Sequence, residues 1–194
     1  MEREVLLTGI GGQGVQLAAS TLGTAAANAD FEVLLFGTYG AAMRGGSTAS
    51  TVVIGQEPLT TPPDVDTAWA AIAMHHDHYR EAADRLRPGG LVVVDSSVFR
   101  GEIDGHGCTL LDLPFSTIAT EAGYPQAASM LAVGAFCAAT RVVPLDALTA
   151  AAYQVLPSYR AQFADTNAAA LTQGWGLVGE PIAPAWPQEV GTSS

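Results

Sequence analysis

Cysteine is nearly absent: Cys108 and Cys137 are the only two among 194 residues. Two thiols cannot hold a four-cysteine iron–sulfur cluster or a structural zinc. They could close one disulfide, but nothing near the start reads as a signal peptide, so two reduced thiols in a cytoplasmic protein are expected. Basic residues are scarce too, eight Lys and Arg against nineteen Asp and Glu, for a formal net charge of −11. No Lys/Arg cluster exists to neutralise phosphates, which argues against nucleic acid as a partner. Long apolar runs are missing as well: Gly, Pro or a charge interrupts each one before transmembrane length, so no membrane partner is expected. Charged residues of either sign make up 14% of the chain, against 48% hydrophobic residues swollen by Ala. So little charge suggests that part of the surface is covered by another chain, or by a second copy when the protein is isolated.

What is present begins with residues 5–15, an apolar strand (VLLT) running into Gly9-Ile10-Gly11-Gly12-Gln13-Gly14-Val15 and then an alanine-rich helix. A turn of this kind offers backbone N–H groups at a helix N-terminus, where phosphate or another anion docks. Its glycines remove Cβ atoms that would block close approach. G-x-G-x-x-G alone is a weak signal, but here it has the strand–turn–helix context the motif requires.

The rest of the chain reads as alternating strands and helices. Strand one is placed at residues 4–8, helix one at 14–28, strand two at 31–36 (FEVLLF) and strand three within 47–55. The all-apolar second strand is expected to be buried on both faces, as parallel strands are. Residues 67–74 (TAWAAIAM) read as strand four and 77–86 as a helix stopped by Arg87-Pro88-Gly89-Gly90. Residues 91–95 (LVVVD) form the clearest buried strand, with a shorter strand at 109–113. Helices follow at 126–140, 144–156 and 158–173, the last closed by Gly174. The predicted class is α/β: a Rossmann-like open, mainly parallel sheet flanked by helices, with a helical C-terminal part. Residues 1–178 are read as one such domain, and residues 179–194, with Pro181, Pro184 and Pro187, as an extended tail draped on a neighbour.

Several residues are candidates for chemistry. A nicotinamide fold places an Asp or Glu at the end of strand two, about 20 residues past the glycines, to bind the ribose. Here that strand ends Leu34-Leu35-Phe36-Gly37, which argues against NAD or NADP. The next loop, Thr38-Tyr39-Gly40-Ala41-Ala42-Met43-Arg44-Gly45-Gly46-Ser47, leaves the carboxyl end of strand two, the edge where open α/β sheets bind ligands. Glycines around Arg44 would present it as a fork for carboxylate or phosphate; the alternative is a structural ion pair. His75, His76 and His78 follow strand four, where His76 and His78 would share one face and suit a metal, or act as cap and surface groups. No metal ligand is assigned. Asp95 is expected to cap the following turn, Asn167 to lie on the buried stripe of its helix, and Cys137 to lie in the core.

Taken together, residues 9–15 (GIGGQGV), 39–47 (YGAAMRGGS), 88–95 (PGGLVVVD), Val133-Gly134 and 167–174 resemble the gamma subunit or gamma domain of the 2-oxoacid:ferredoxin oxidoreductases. That family includes the pyruvate, 2-oxoglutarate, ketoisovalerate and indolepyruvate enzymes, and the similarity covers roughly residues 1–178. It implies a multi-subunit enzyme that decarboxylates a 2-oxoacid on thiamine diphosphate and passes electrons through iron–sulfur clusters to ferredoxin or another acceptor. Thiamine and clusters would sit in partner subunits, and this chain alone would not be catalytic. Coenzyme A would bind at the interface in those members that use it. The resemblance puts Gly9, Gly11, Gly12, Gln13, Gly14 and Val15 in an anion-facing turn, with Tyr39, Gly40, Arg44, Gly45, Gly46 and Ser47 at the subunit or CoA-facing edge. Two positions depart from the family pattern: Ala42 stands where many relatives have glutamate, and Ser129 where many have asparagine. The rival is a stand-alone Rossmann-like nucleotide-binding protein or small NAD(P)-dependent oxidoreductase.

Overall fold

The computed structural model describes residues 1–39, 46–61, 65–100, 103–105 and 107–187. Six strands, β1 (Glu2–Ile10), β2 (Glu32–Tyr39), β3 (Ser47–Gly55), β4 (Ala68–Ala73), β5 (Leu86–Asp95) and β6 (Thr109–Leu113), form one sheet in the order β2-β3-β1-β4-β5-β6. The neighbours β1, β4, β5 and β6 pair in parallel. β3 runs antiparallel to both β1 and β2, and so stands between them.

The helices are α1 (Val15–Asn28), α2 (Tyr79–Ala83), α3 (Phe115–Glu121), α4 (Ala128–Thr140), α5 (Leu145–Gln154) and α6 (Ala164–Gly176). Successive side chains of a strand point to opposite faces. Val5 and Leu7 of β1 therefore join the main core with Leu22 of α1 and Leu131 and Phe136 of α4, while Leu6 packs on the other face against Ala68, Ala71 and Ala82. Every residue of α4 is buried. Its run of small and apolar side chains has no polar face to offer solvent, so it can only be a central helix.

Five expectations are corrected. β2 is an edge strand, with Leu35 and Phe36 each 45% exposed. An apolar run shows that a strand wants cover, not which strand ends up outermost. The helix expected at 77–86 is a 3₁₀ turn, His76–His78, followed by the five residues of α2. The strand after it opens at Leu86, so Arg87-Pro88-Gly89-Gly90 lies inside β5, where the pairing with β4 shifts register between Ala68 and Ala70. Gly174 does not close α6, which continues to Gly176; it is buried against α4. Residues 179–187 lie on this same chain: the amides of Ile182 and Ala183 donate to the Ala139 carbonyl, and that of Ala185 to the Thr140 carbonyl. The helix α3 is an addition to the sequence reading. Asp95 caps as expected, accepting from the Ser97 amide at 3.1 Å and from the Ser116 amide at the start of α3 at 3.1 Å. Cys137 is fully buried, and that burial pushes its thiol pKa up.

Candidate functional site

The turn after β1 is built from behind. The Ile10 amide donates to Oε1 of Gln13 at 2.8 Å, and Nε2 of Gln13 donates to the Met74 carbonyl at 2.9 Å, at the end of β4. The Gln13 amide closes onto the Ile10 carbonyl at 3.2 Å, and the Gly11 amide reaches the Gly46 carbonyl at 2.9 Å. A Cβ on Gly9 would meet Oε1 of Gln13 at 2.6 Å. Gly9 and Gln13 therefore shape the turn from inside.

Gly11, Gly12 and Gly14 line a cleft of about 1140 Å³, which Val15 also borders although its side chain is buried in the core. Gly12 has φ 101° and Gly14 has φ 75°, backbone that glycine adopts without strain. Gly14 caps α1, whose first turn carries no acidic residue. The amides of Gly12, Gly14, Val15 and Gln16 have no partner among the described residues. Four N–H groups at the positive end of a 14-residue helix give that wall of the cleft the donors that an anion requires.

The facing wall comes from the C-terminal half: Tyr124, Gln126, Arg160, Phe163 and Asn167. Arg160 and Phe163 lie in the 3₁₀ segment Ser158–Phe163, where Tyr159 is 73% exposed and the Arg160 guanidinium stands 5.7 Å from its ring centre. Arg160 has no acidic partner among the described residues. Asn167 is 7% exposed, as its place on the buried stripe of α6 predicts, and its amide has no hydrogen-bond partner among the described residues. The cleft lining thus combines bare amides with the Arg160 guanidinium and with aromatic and amide side chains. That combination suits a phosphate-bearing ligand with a flat or polar portion.

Of the residues singled out from sequence, Gly11, Gly12, Gly14, Val15, Gly46 and Ser47 line the cleft, whereas Gly9 and Gln13 do not. Tyr39 ends β2, paired with Thr48. Gly40, Arg44 and Gly45 lie outside the described residues. Sequence reasoning missed Arg160, although it is one of only eight basic residues and follows Pro157-Ser158-Tyr159. The dinucleotide reading loses its geometry here: β3 separates β2 from β1, so the strand that would carry a ribose-binding acid is not beside the glycine turn.

Residues 4–177 match the family model of pyruvate ferredoxin/flavodoxin oxidoreductase. The chain belongs to that family. It is 31% identical over 187 residues to the 2-oxoglutarate synthase subunit KorC of Methanocaldococcus jannaschii, covering 93% of this chain and 96% of the relative. It is also 31% identical over 137 residues to the ketoisovalerate oxidoreductase subunit VorA of Methanothermobacter thermautotrophicus, 71% of this chain and 28% of that longer one. Among solved structures it is similar to the gamma subunit of the keto/oxoacid ferredoxin oxidoreductase of Geobacter sulfurreducens, with a TM-score of 0.77 at 26% identity, covering 91% of this chain and 95% of the other. Within the family the chain is therefore of gamma-subunit type, and the stand-alone nucleotide-binding alternative falls away. Among the described residues no helix is long and apolar enough to cross a membrane.

Proposed function

We propose that this chain serves a cytoplasmic 2-oxoacid:acceptor oxidoreductase as its gamma-type subunit, supporting oxidative decarboxylation carried out on partner chains. Those partners would supply thiamine diphosphate, which stabilises the carbanion left by decarboxylation, and iron–sulfur clusters, which carry the electrons to ferredoxin or another acceptor. This chain's free cysteines, Cys108 and buried Cys137, do not fit a cluster.

Its own contribution is the cleft, and the observation that carries this reading is that its lining holds Arg160 together with Gly12, Gly14, Val15 and Gln16, whose amides have no partner among the described residues. Coenzyme A is a polyanion, and its phosphates suit that wall. Gly11 and Val15 line the pocket floor, while Gly9 and Gln13 hold the turn in place. Gly46 and Ser47 form the rim.

The test is made on the assembled complex, with this chain carrying Arg160→Ala or Arg44→Ala. A charged hydrogen bond contributes about 1.5–3 kcal/mol, so each variant should raise the KM for CoA by roughly tenfold or more while leaving kcat nearly unchanged. Unchanged KM and unchanged assembly in both variants would remove the arginines from the site. Recovery of the chain only as a free species, from cells that make the thiamine-binding and iron–sulfur chains, would overturn the subunit role itself.

A further inference from the structure

Outside the cleft, the described residues contain one group of side chains able to hold a metal ion: His75, His76 and Asp77. The sequence suggested His76 and His78 on one face of a strand. Instead β4 ends at Ala73 and His76–His78 wind into a 3₁₀ turn, which leaves His78 with its ring centre 6.3 Å from that of His75. Asp77 takes its place and supplies the carboxylate that the sequence reading lacked. Its Oδ1 lies 2.8 Å from Nε2 of His76, and its Oδ2 lies 3.6 Å from Nδ1 of His75.

One donor atom from each of the three residues falls within 4.8 Å of the others. A tetrahedral zinc ion with bonds near 2.0–2.1 Å sets its donors about 3.4 Å apart, so side-chain rotation has to draw the three donors closer. The two imidazoles are already stacked, with centres 4.7 Å apart and 25° between planes. Nδ1 of His76 is buried without a partner among the described residues, which leaves Nε2, the nitrogen facing Asp77, as the one open to a ligand.

The backbone entering the group is held on both sides. The Met74 amide donates to the Thr8 carbonyl at 2.8 Å, and the Met74 carbonyl accepts from Gln13 at 2.9 Å. Phe99 stands edge-on to His76, 6.4 Å between ring centres.

We propose that His75, His76 and Asp77 form a binding site for a divalent ion of the zinc class, with at least one position left open to water or to a donor from another chain. Two imidazoles and one carboxylate favour zinc over magnesium or calcium, which prefer all-oxygen sets. Nothing in the oxidoreductase reading requires this site, and it sits outside the cleft lining.

The experiment is calorimetric titration of Zn²⁺ into the full chain after chelator treatment and dialysis, with Mg²⁺ as the comparison ion. One equivalent of Zn²⁺ should bind and raise the thermal midpoint, with no comparable Mg²⁺ binding. His76→Ala and Asp77→Asn should each weaken Zn²⁺ binding by about tenfold or more, while His78→Ala should not. Circular dichroism in chelator establishes that the variants fold alike. An absence of Zn²⁺ binding, equal binding of Mg²⁺, or undiminished Zn²⁺ binding by a His75→Ala/His76→Ala double variant would each overturn the proposal. None of these results bears on subunit assembly, so the two readings fail separately.

Discussion

Gly134 of α4 and Gly174 of α6 bring their helices into backbone contact: a Cβ on Gly134 would strike the Leu171 carbonyl, and a Cβ on Gly174 would strike the Leu131 carbonyl. Neither obstacle is a side chain that could swing aside. Both glycines are therefore fixed by the separation of the helices and not by turn geometry.

Gly134→Ala and Gly174→Ala should each force α4 and α6 apart. Overpacking of a core costs about 1–3 kcal/mol, and a clash with backbone on both helices belongs at the top of that range. For a domain of this size that corresponds to a thermal midpoint lowered by roughly 6–10 °C, read by calorimetry. A loss under about 2 °C in both variants would show that the helices separate easily and that the contact is not a constraint.

Gly14 and Ser129 are coupled in a different way. Ser129 is 2% exposed, its hydroxyl has no hydrogen-bond partner among the described residues, and it lies 2.9 Å from where a Cβ on Gly14 would stand. An unpaired buried hydroxyl is a desolvation cost, so Ser129→Ala should be neutral or stabilise by up to about 1 kcal/mol. Gly14→Ala combines positive-φ strain of about 1–2 kcal/mol with the contact on Ser129. In the Ser129→Ala background the contact part should be relieved, giving a non-zero interaction in a double-mutant cycle from urea unfolding. Strictly additive changes would mean that strain alone accounts for the loss.

The contrast between those two pairs shows what a sequence carries. The first strand, the glycine turn and α1 were legible because their signals are local: apolar residues, then glycines, then alanines at helical spacing. LVVVD and the all-apolar α4 were legible for the same reason. The position of β2 was not, because FEVLLF reads alike at the centre or the edge of a sheet, and only the antiparallel insertion of β3 makes it outermost. The floor of the cleft was visible as a motif, whereas its opposite wall was not. Arg160 and Tyr124 line the same cleft as Gly12 although they lie more than 100 residues away in the chain, and no local pattern encodes that juxtaposition.

Glu2 provides a pH dependence that can be isolated. Hydrogen bonds from the Thr61 side chain, the Thr60 amide and hydroxyl, and the Thr61 amide bring its pKa from an ordinary 4.5 down to about 2. A carboxylate with a depressed folded-state pKa stabilises the fold above its unfolded pKa, and that contribution is lost as pH falls through the folded value. The stability difference between the native protein and Glu2→Gln should therefore be constant above about pH 5 and shrink from pH 4.5 toward pH 2. The remaining carboxylates titrate in both proteins and cancel. A difference independent of pH over that interval would show that the threonines do not favour the charged form.

Trp186 tests whether residues 179–187 are part of the folded body. Its ring stacks on Phe31 at 5.0 Å and 12°, its Nε1 donates to the Val142 carbonyl at 3.1 Å, and neighbouring Ala185 is fully buried with its carbonyl accepting from Nε of Arg3 at 2.6 Å. The Arg3 guanidinium lies 4.8 Å from the Trp69 ring and 6.0 Å from that of Trp186, so one cation joins the tail, β1 and β4. Fully buried Trp→Ala changes cost about 3–5 kcal/mol; for a half-buried ring about 2 kcal/mol is expected. Trp186→Ala should lower the unfolding free energy by that amount, with a lower denaturation midpoint, and increase proteolytic cleavage within 179–187, while α4 stays protected from hydrogen exchange. A strap that merely rests on the surface would instead leave the midpoint unchanged, and truncation before Gly179 would then be tolerated equally well.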